Sequence, residues 1–83
     1  MITAEEITRR LEAAFPGATV RVVDTTGTSD HFEALVVSSS FEGLNRVRQH
    51  QAVYSALGDA MRQEIHALAL RTFTPESWER AQP

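Results

Sequence analysis

Hydrophobic positions change their period several times along this chain, and each change marks a predicted element. Ile7, Leu11 and Ala14 recur at helical spacing, with Arg9, Arg10 and Glu12 off the stripe. Ahead of them Thr3-Ala4-Glu5-Glu6 fits a capping box, and Ile2 and Ile7 hold the positions of a hydrophobic staple. Pro16-Gly17 ends this helix by removing a donor and permitting a left-handed turn. From Ala18 to Val23 the period falls to two, because Val20 and Val22 alternate with Thr19 and Arg21. A polar loop, Asp24 to Asp30, holds Gly27 and four hydroxyl residues. A second strand is predicted over His31 to Ser38, close enough to the first to form a hairpin. Ser38-Ser39-Ser40 can cap the next element.

Phe41-Glu42-Gly43 opens that element, and Val47, Val53, Tyr54, Leu57 and Met61 keep helical spacing to about Gln63. Gly43 is placed to divide an opening turn from the main helix. Ile65 to Arg71 reads as a third strand, with His66, Leu68 and Leu70 on one face and Ile65, Ala67 and Ala69 on the other. Thr74 caps a last short helix with Pro75 at its first position, and Trp78 is expected to close the core. The order is helix, two strands, a helical pair, a strand and a helix. It predicts one small α+β domain over residues 1–83, with the helices packed on a three-stranded sheet.

Composition changes this picture at one point. The chain has no cysteine, so metal or cluster chemistry must rest on histidine, carboxylate or ligands brought by another molecule. Against that background His66, in a short apolar strand pattern, stands out. The remaining composition mostly excludes. There is no apolar run of about 20 residues to span a membrane, and the acidic N-terminus lacks the features of a secretory signal. A reducing cytoplasm is the simplest expected compartment. No phosphate loop or nucleophile constellation stands out, so an enzyme is not expected. A net charge of −3 argues against bulk nucleic-acid binding, although all eight basic residues are arginine.

The run from Phe41-Glu42-Gly43 through His50 and Val53-Tyr54 to Leu57 resembles the central segment of the BolA family. Ile65-His66-Ala67-Leu68 and Thr74-Pro75-Glu76-Ser77-Trp78 are similar to that family's C-terminal segment, in the same order and at the expected distance. The resemblance implies an αββααβα fold like the type II KH domain. It also implies a monothiol glutaredoxin partner and a shared [2Fe–2S] cluster, whose sulfur ligands come from the glutaredoxin and its glutathione. His66 would be this chain's ligand to that cluster. Alone, the chain is expected to hold no cluster.

The sequence departs from the family pattern in the first interstrand loop. Where many relatives carry cysteine, this chain has Ser29, a poor ligand. His31 stands two residues later, before Phe32, and two readings of it remain open: a substitute second ligand, or an ordinary strand-edge histidine. Asp30 is a further oxygen donor, less suited to such chemistry. The resemblance places partner contact around Ser29, Phe41, Gly43, Arg46 and Arg48. His50, Tyr54 and Trp78 are read as structural. Gln49 stands where many relatives have arginine. A DNA-binding regulator is the alternative, with Arg46 and Arg48 on phosphates. Yet Gly43-Leu44-Asn45-Arg46 lacks the second glycine of a KH-type loop.

Overall fold

A computed structural model of the protein describes residues 2–65 and 67–82. The first helix, α1 (Ala4–Ala14), begins as its sequence demands: the Thr3 hydroxyl accepts the Glu6 N–H at 3.1 Å. The return half of the capping box does not form. The Glu6 carboxylate turns instead to Arg9 (2.9 Å) and Arg10 (2.8 Å), because two guanidiniums are stronger partners than one backbone amide. Ile2 and Ile7 are both buried, as a staple requires. Ala14, expected on the apolar stripe, is exposed; Phe15 takes its place, edge-on to Phe41 with ring centroids 5.2 Å apart. Ile7, Leu11 and Phe15 keep a strict four-residue spacing, which holds them on the buried face. Gly17 then adopts φ +82°, and the chain reverses.

Strand β1 (Thr19–Asp24) pairs antiparallel with β2 (His31–Val37), and β2 pairs parallel with β3 (Ala67–Phe73), in the order β1-β2-β3. Phe32 and Val36 are buried against the helices, together with partly buried Val20, Val22, Leu68 and Leu70. Ser38, expected in β2, leaves the strand and caps a 3₁₀ turn (Ser39–Phe41) through its hydroxyl, which accepts the Ser40 N–H at 3.0 Å. The third strand lies two residues later than its predicted span. Ile65 is buried, but its N–H bonds the Ala60 carbonyl at 2.8 Å and so finishes the preceding helix. Thr72 and Phe73 extend the strand by pairing with Val36 and Val37.

The long helical pattern after Phe41 is broken twice. Gly43 (φ +82°) separates the 3₁₀ turn from α2 (Arg46–Leu57), as its position suggested, and Gly58 (φ +58°) separates α2 from α3 (Ala60–Gln63). The face of α2 differs from the one its apolar residues suggest. Val47 is 64% exposed and Tyr54 39%, whereas Gln49, Val53 and Leu57 are buried. A polar residue can occupy that stripe because both ends of its amide are satisfied. Gln49 Nε2 donates to the Leu44 carbonyl at 2.9 Å, and its Oε1 accepts from the Thr72 hydroxyl at 2.7 Å. This bond ties α2 to β3.

Helix α4 (Pro75–Ala81) has a complete capping box. Thr74 accepts from the Ser77 N–H at 3.1 Å, while the Ser77 hydroxyl accepts from the Thr74 N–H at 2.9 Å. Trp78 does not reach the central core. It is half-buried against Phe73, at 5.1 Å between ring centroids, because α4 packs on the end of β3 and buries no residue fully. No helix among the described residues is long and apolar enough to cross a membrane.

Candidate ligand end and arginine groove

The loop between β1 and β2 is organised by one carboxylate. Asp24 Oδ1 accepts the N–H groups of Gly27 (3.0 Å) and Thr26 (3.3 Å), and Oδ2 accepts that of Ser29 (2.8 Å). Desolvation pushes the Asp24 carboxyl up, but the donors from Ser29, Gly27 and Thr26 outweigh it and hold it below the usual carboxylate range. Ser29 is thereby fixed at φ +61°, a left-handed conformation that serine seldom adopts without such support. Its hydroxyl stands in the place expected of a ligand but has no thiolate or imidazole chemistry to offer.

His31 opens β2 with its side chain exposed. Its carbonyl accepts both the N–H and the hydroxyl of Thr25, at 3.0 and 3.1 Å. Across the parallel pair its partner is Ala67, and the Ala67 N–H bonds the Asp30 carbonyl at 3.2 Å. The end of the loop and the start of β3 are therefore stitched together. His66 lies outside the described residues; Ala67 is its neighbour in the chain. Among the described residues no group of three or more His, Cys, Asp or Glu could hold a metal ion.

The second predicted contact segment sits at the other end of β3. Phe41 is fully buried and offers no surface, since its ring fills the space beside Phe15. Gly43, Arg46 and Arg48 are exposed. Arg46 and half-buried His50 face Leu70, Arg71, Thr72 and Phe73 across an open groove of about 330 Å³. The imidazole of His50 meets the Tyr54 ring edge-on, with centroids 6.4 Å apart. Along the strand, Ala67 and the groove residues are separated by about 10–20 Å at a rise near 3.3 Å per residue. The loop end and the groove are thus two neighbouring patches along β3.

Two features here are absent from the sequence-based expectations: the Gln49–Thr72 clamp and the role of Arg71. The four-residue spacing back from Leu57 and Val53 points to position 49, so the first is available in principle. Arg71 reads from the sequence only as a strand end, yet its guanidinium lies 5.4 Å over the Phe73 ring. Arg9 and Arg10 pair with Glu6, Arg62 with Asp59, and Arg80 with Glu76. Among the described residues, Arg21, Arg46, Arg48 and Arg71 make no ion pair.

Comparison with known proteins agrees with this architecture. The family model for BolA-like proteins matches residues 11–77. The chain is 35% identical over 86 residues to the DNA-binding transcriptional regulator BolA of Escherichia coli, covering 95% of this chain and 82% of that protein. It is 42% identical over 53 residues to the protein of the same name from Haemophilus influenzae, a match covering 64% of this chain but only about half (52%) of that relative. A solved BolA homologue from Coxiella burnetii superposes with a TM-score of 0.81 at 37% identity, over 96% of this chain and all (100%) of the other. Element order, mixed sheet and sequence all agree: the chain belongs to the BolA family.

Proposed function

We propose that this protein is a non-enzymatic adaptor that binds a monothiol glutaredoxin and helps hold a glutathione-ligated [2Fe–2S] cluster between the two. The observation that carries this reading is the β2–β3 register, which sets His31 abreast of Ala67, next in the chain to His66. In this reading His66 is the principal ligand and His31, at the start of β2, is the second. Bound there, the cluster would supply one-electron chemistry and a transferable iron–sulfur unit. Imidazole in place of thiolate removes negative charge and raises its potential. The Asp24-held loop would keep His31 at the rim rather than letting the strand end fray.

Comparing variants in a reconstitution with glutaredoxin, glutathione, iron and sulfide tests the ligand assignment. His66→Ala is expected to abolish the mixed-cluster visible spectrum, His31→Ala to shift it, and Ser29→Ala to leave it unaltered. An unchanged spectrum for His66→Ala would remove that residue from the site.

A second reading, a DNA-binding regulator, is favoured by the names of the relatives and by the unpaired Arg46 and Arg48. It predicts a gel shift that survives moderate salt. Each arginine removed should lower the slope of log affinity against log salt by roughly 1.

A further inference from the structure

We propose that the open groove between α2 and the outer edge of β3 binds a phosphate monoester carried on an organic body about the size of one nucleotide. The proposal stands apart from the cluster reading, because it draws on Arg46, His50 and Arg71 and on neither of the assigned ligands. Four consecutive residues, Leu70 to Phe73, line it, and successive strand side chains point to opposite faces. The groove therefore runs along the strand's edge. β3 is the last strand in the sheet order, so its outer backbone groups have no strand partner there.

The lining divides by chemistry. Leu70 and Phe73 supply apolar surface; Arg46, His50, Arg71 and Thr72 supply polar groups, and no acidic side chain stands among them. Neither arginine is neutralised by an ion pair, and Arg71 is steadied over Phe73. Gln49, hydrogen-bonded to Thr72 behind the groove, keeps its two walls in register. The volume of about 330 Å³ lies at the small end of ligand clefts, which run from about 300 to 1,000 Å³. Two guanidinium forks carry more donors than one carboxylate can accept. A phosphate monoester, with up to two charges and three acceptor oxygens, matches them. A free nucleotide and the 5′ end of a single strand present this same chemistry.

Adenosine 5′-monophosphate, adenosine and inorganic phosphate are the probes, monitored by calorimetry and by amide shifts of Leu70 to Phe73. Adenosine 5′-monophosphate is expected to bind with a dissociation constant below about 1 mM, and adenosine alone at least about tenfold more weakly. Arg46→Gln and Arg71→Gln should each weaken binding by about tenfold with unchanged circular dichroism. Arg21→Gln, an equally unpaired arginine outside the groove, should leave it intact. If adenosine binds as well as its phosphate, or if Arg21→Gln costs as much as Arg71→Gln, the site is wrong; no binding at several millimolar overturns it equally. Competition by a short strand with a 5′-phosphate, and not by its unphosphorylated twin, identifies a strand end as the source. Failure of both strands to compete leaves the free nucleotide, and equal competition by both contradicts recognition of a monoester.

Discussion

Gln49 shows how a single polar residue can hold two elements together. It sits on the buried stripe of α2 between a carbonyl and a hydroxyl, each within 2.9 Å. Replacing it with leucine keeps the volume but strands both partners. Gln49→Leu is expected to cost about 1–3 kcal/mol in urea unfolding, because buried unsatisfied groups carry that penalty. Adding Thr72→Val should recover part of the loss by removing one stranded group; no recovery would show that the bond does not couple α2 to β3.

Glu6 makes the complementary electrostatic case. Hydrogen bonds first from Arg9 and then from Arg10 lower its carboxyl from an ordinary 4.5 to about 2. A depressed folded-state value favours the charged form in the native protein. Its contribution is therefore fully present above pH 4.5 and is lost as pH falls from 4.5 towards 2. The difference in urea midpoint between the wild type and Glu6→Gln should narrow through that window. A constant difference would assign the effect to something other than the carboxylate's charge.

At the scale of elements, glycines decide what the hydrophobic pattern leaves undecided. The apolar spacing from Val47 to Met61 reads as one helix, and nothing in its period reveals the break. Gly58 makes the break by adopting φ +58°. A Cβ there would meet only the Ser55 carbonyl oxygen, at 4.0 Å, so Gly58→Ala is a test of backbone strain alone. With ψ at −133° the residue lies outside the left-handed helical region, in backbone space open almost only to glycine, and alanine is expected to destabilise by about 1–3 kcal/mol. A neutral result in thermal unfolding would mean that α2 can run on into α3.

The same scale shows which features are legible in the chain. Caps, staple, turn glycines and the alternation in β1 and β2 act within a few residues, so the sequence displays them directly. Ile65 and Trp78 lie elsewhere than their local patterns suggest because their positions depend on distant partners. Ile65 closes α3 onto Ala60, and Trp78 packs on Phe73, which joins the sheet only by pairing with Val37. The candidate site is half legible for the same reason. His31, Ser29 and Arg46 can be named from the chain, but the separation of loop and groove along β3 is a property of the parallel pairing.

For the whole molecule, the net charge of −3 hides an uneven arrangement. Arginines on α1, α3 and α4 are paired within their own helices or caps, whereas unpaired Arg46 and Arg71 both line the groove beside β3. The two proposals address different parts of this molecule, the cationic groove and the end of the sheet where His31 opens β2. The cluster proposal concerns the second. It is tested most directly by titrating this protein into a monothiol glutaredoxin loaded with a glutathione-ligated [2Fe–2S] cluster, monitored by visible circular dichroism. The expected result is a new spectrum that saturates at equimolar protein and fails to form with His66→Ala. A glutaredoxin spectrum unmoved by excess wild-type protein would contradict it.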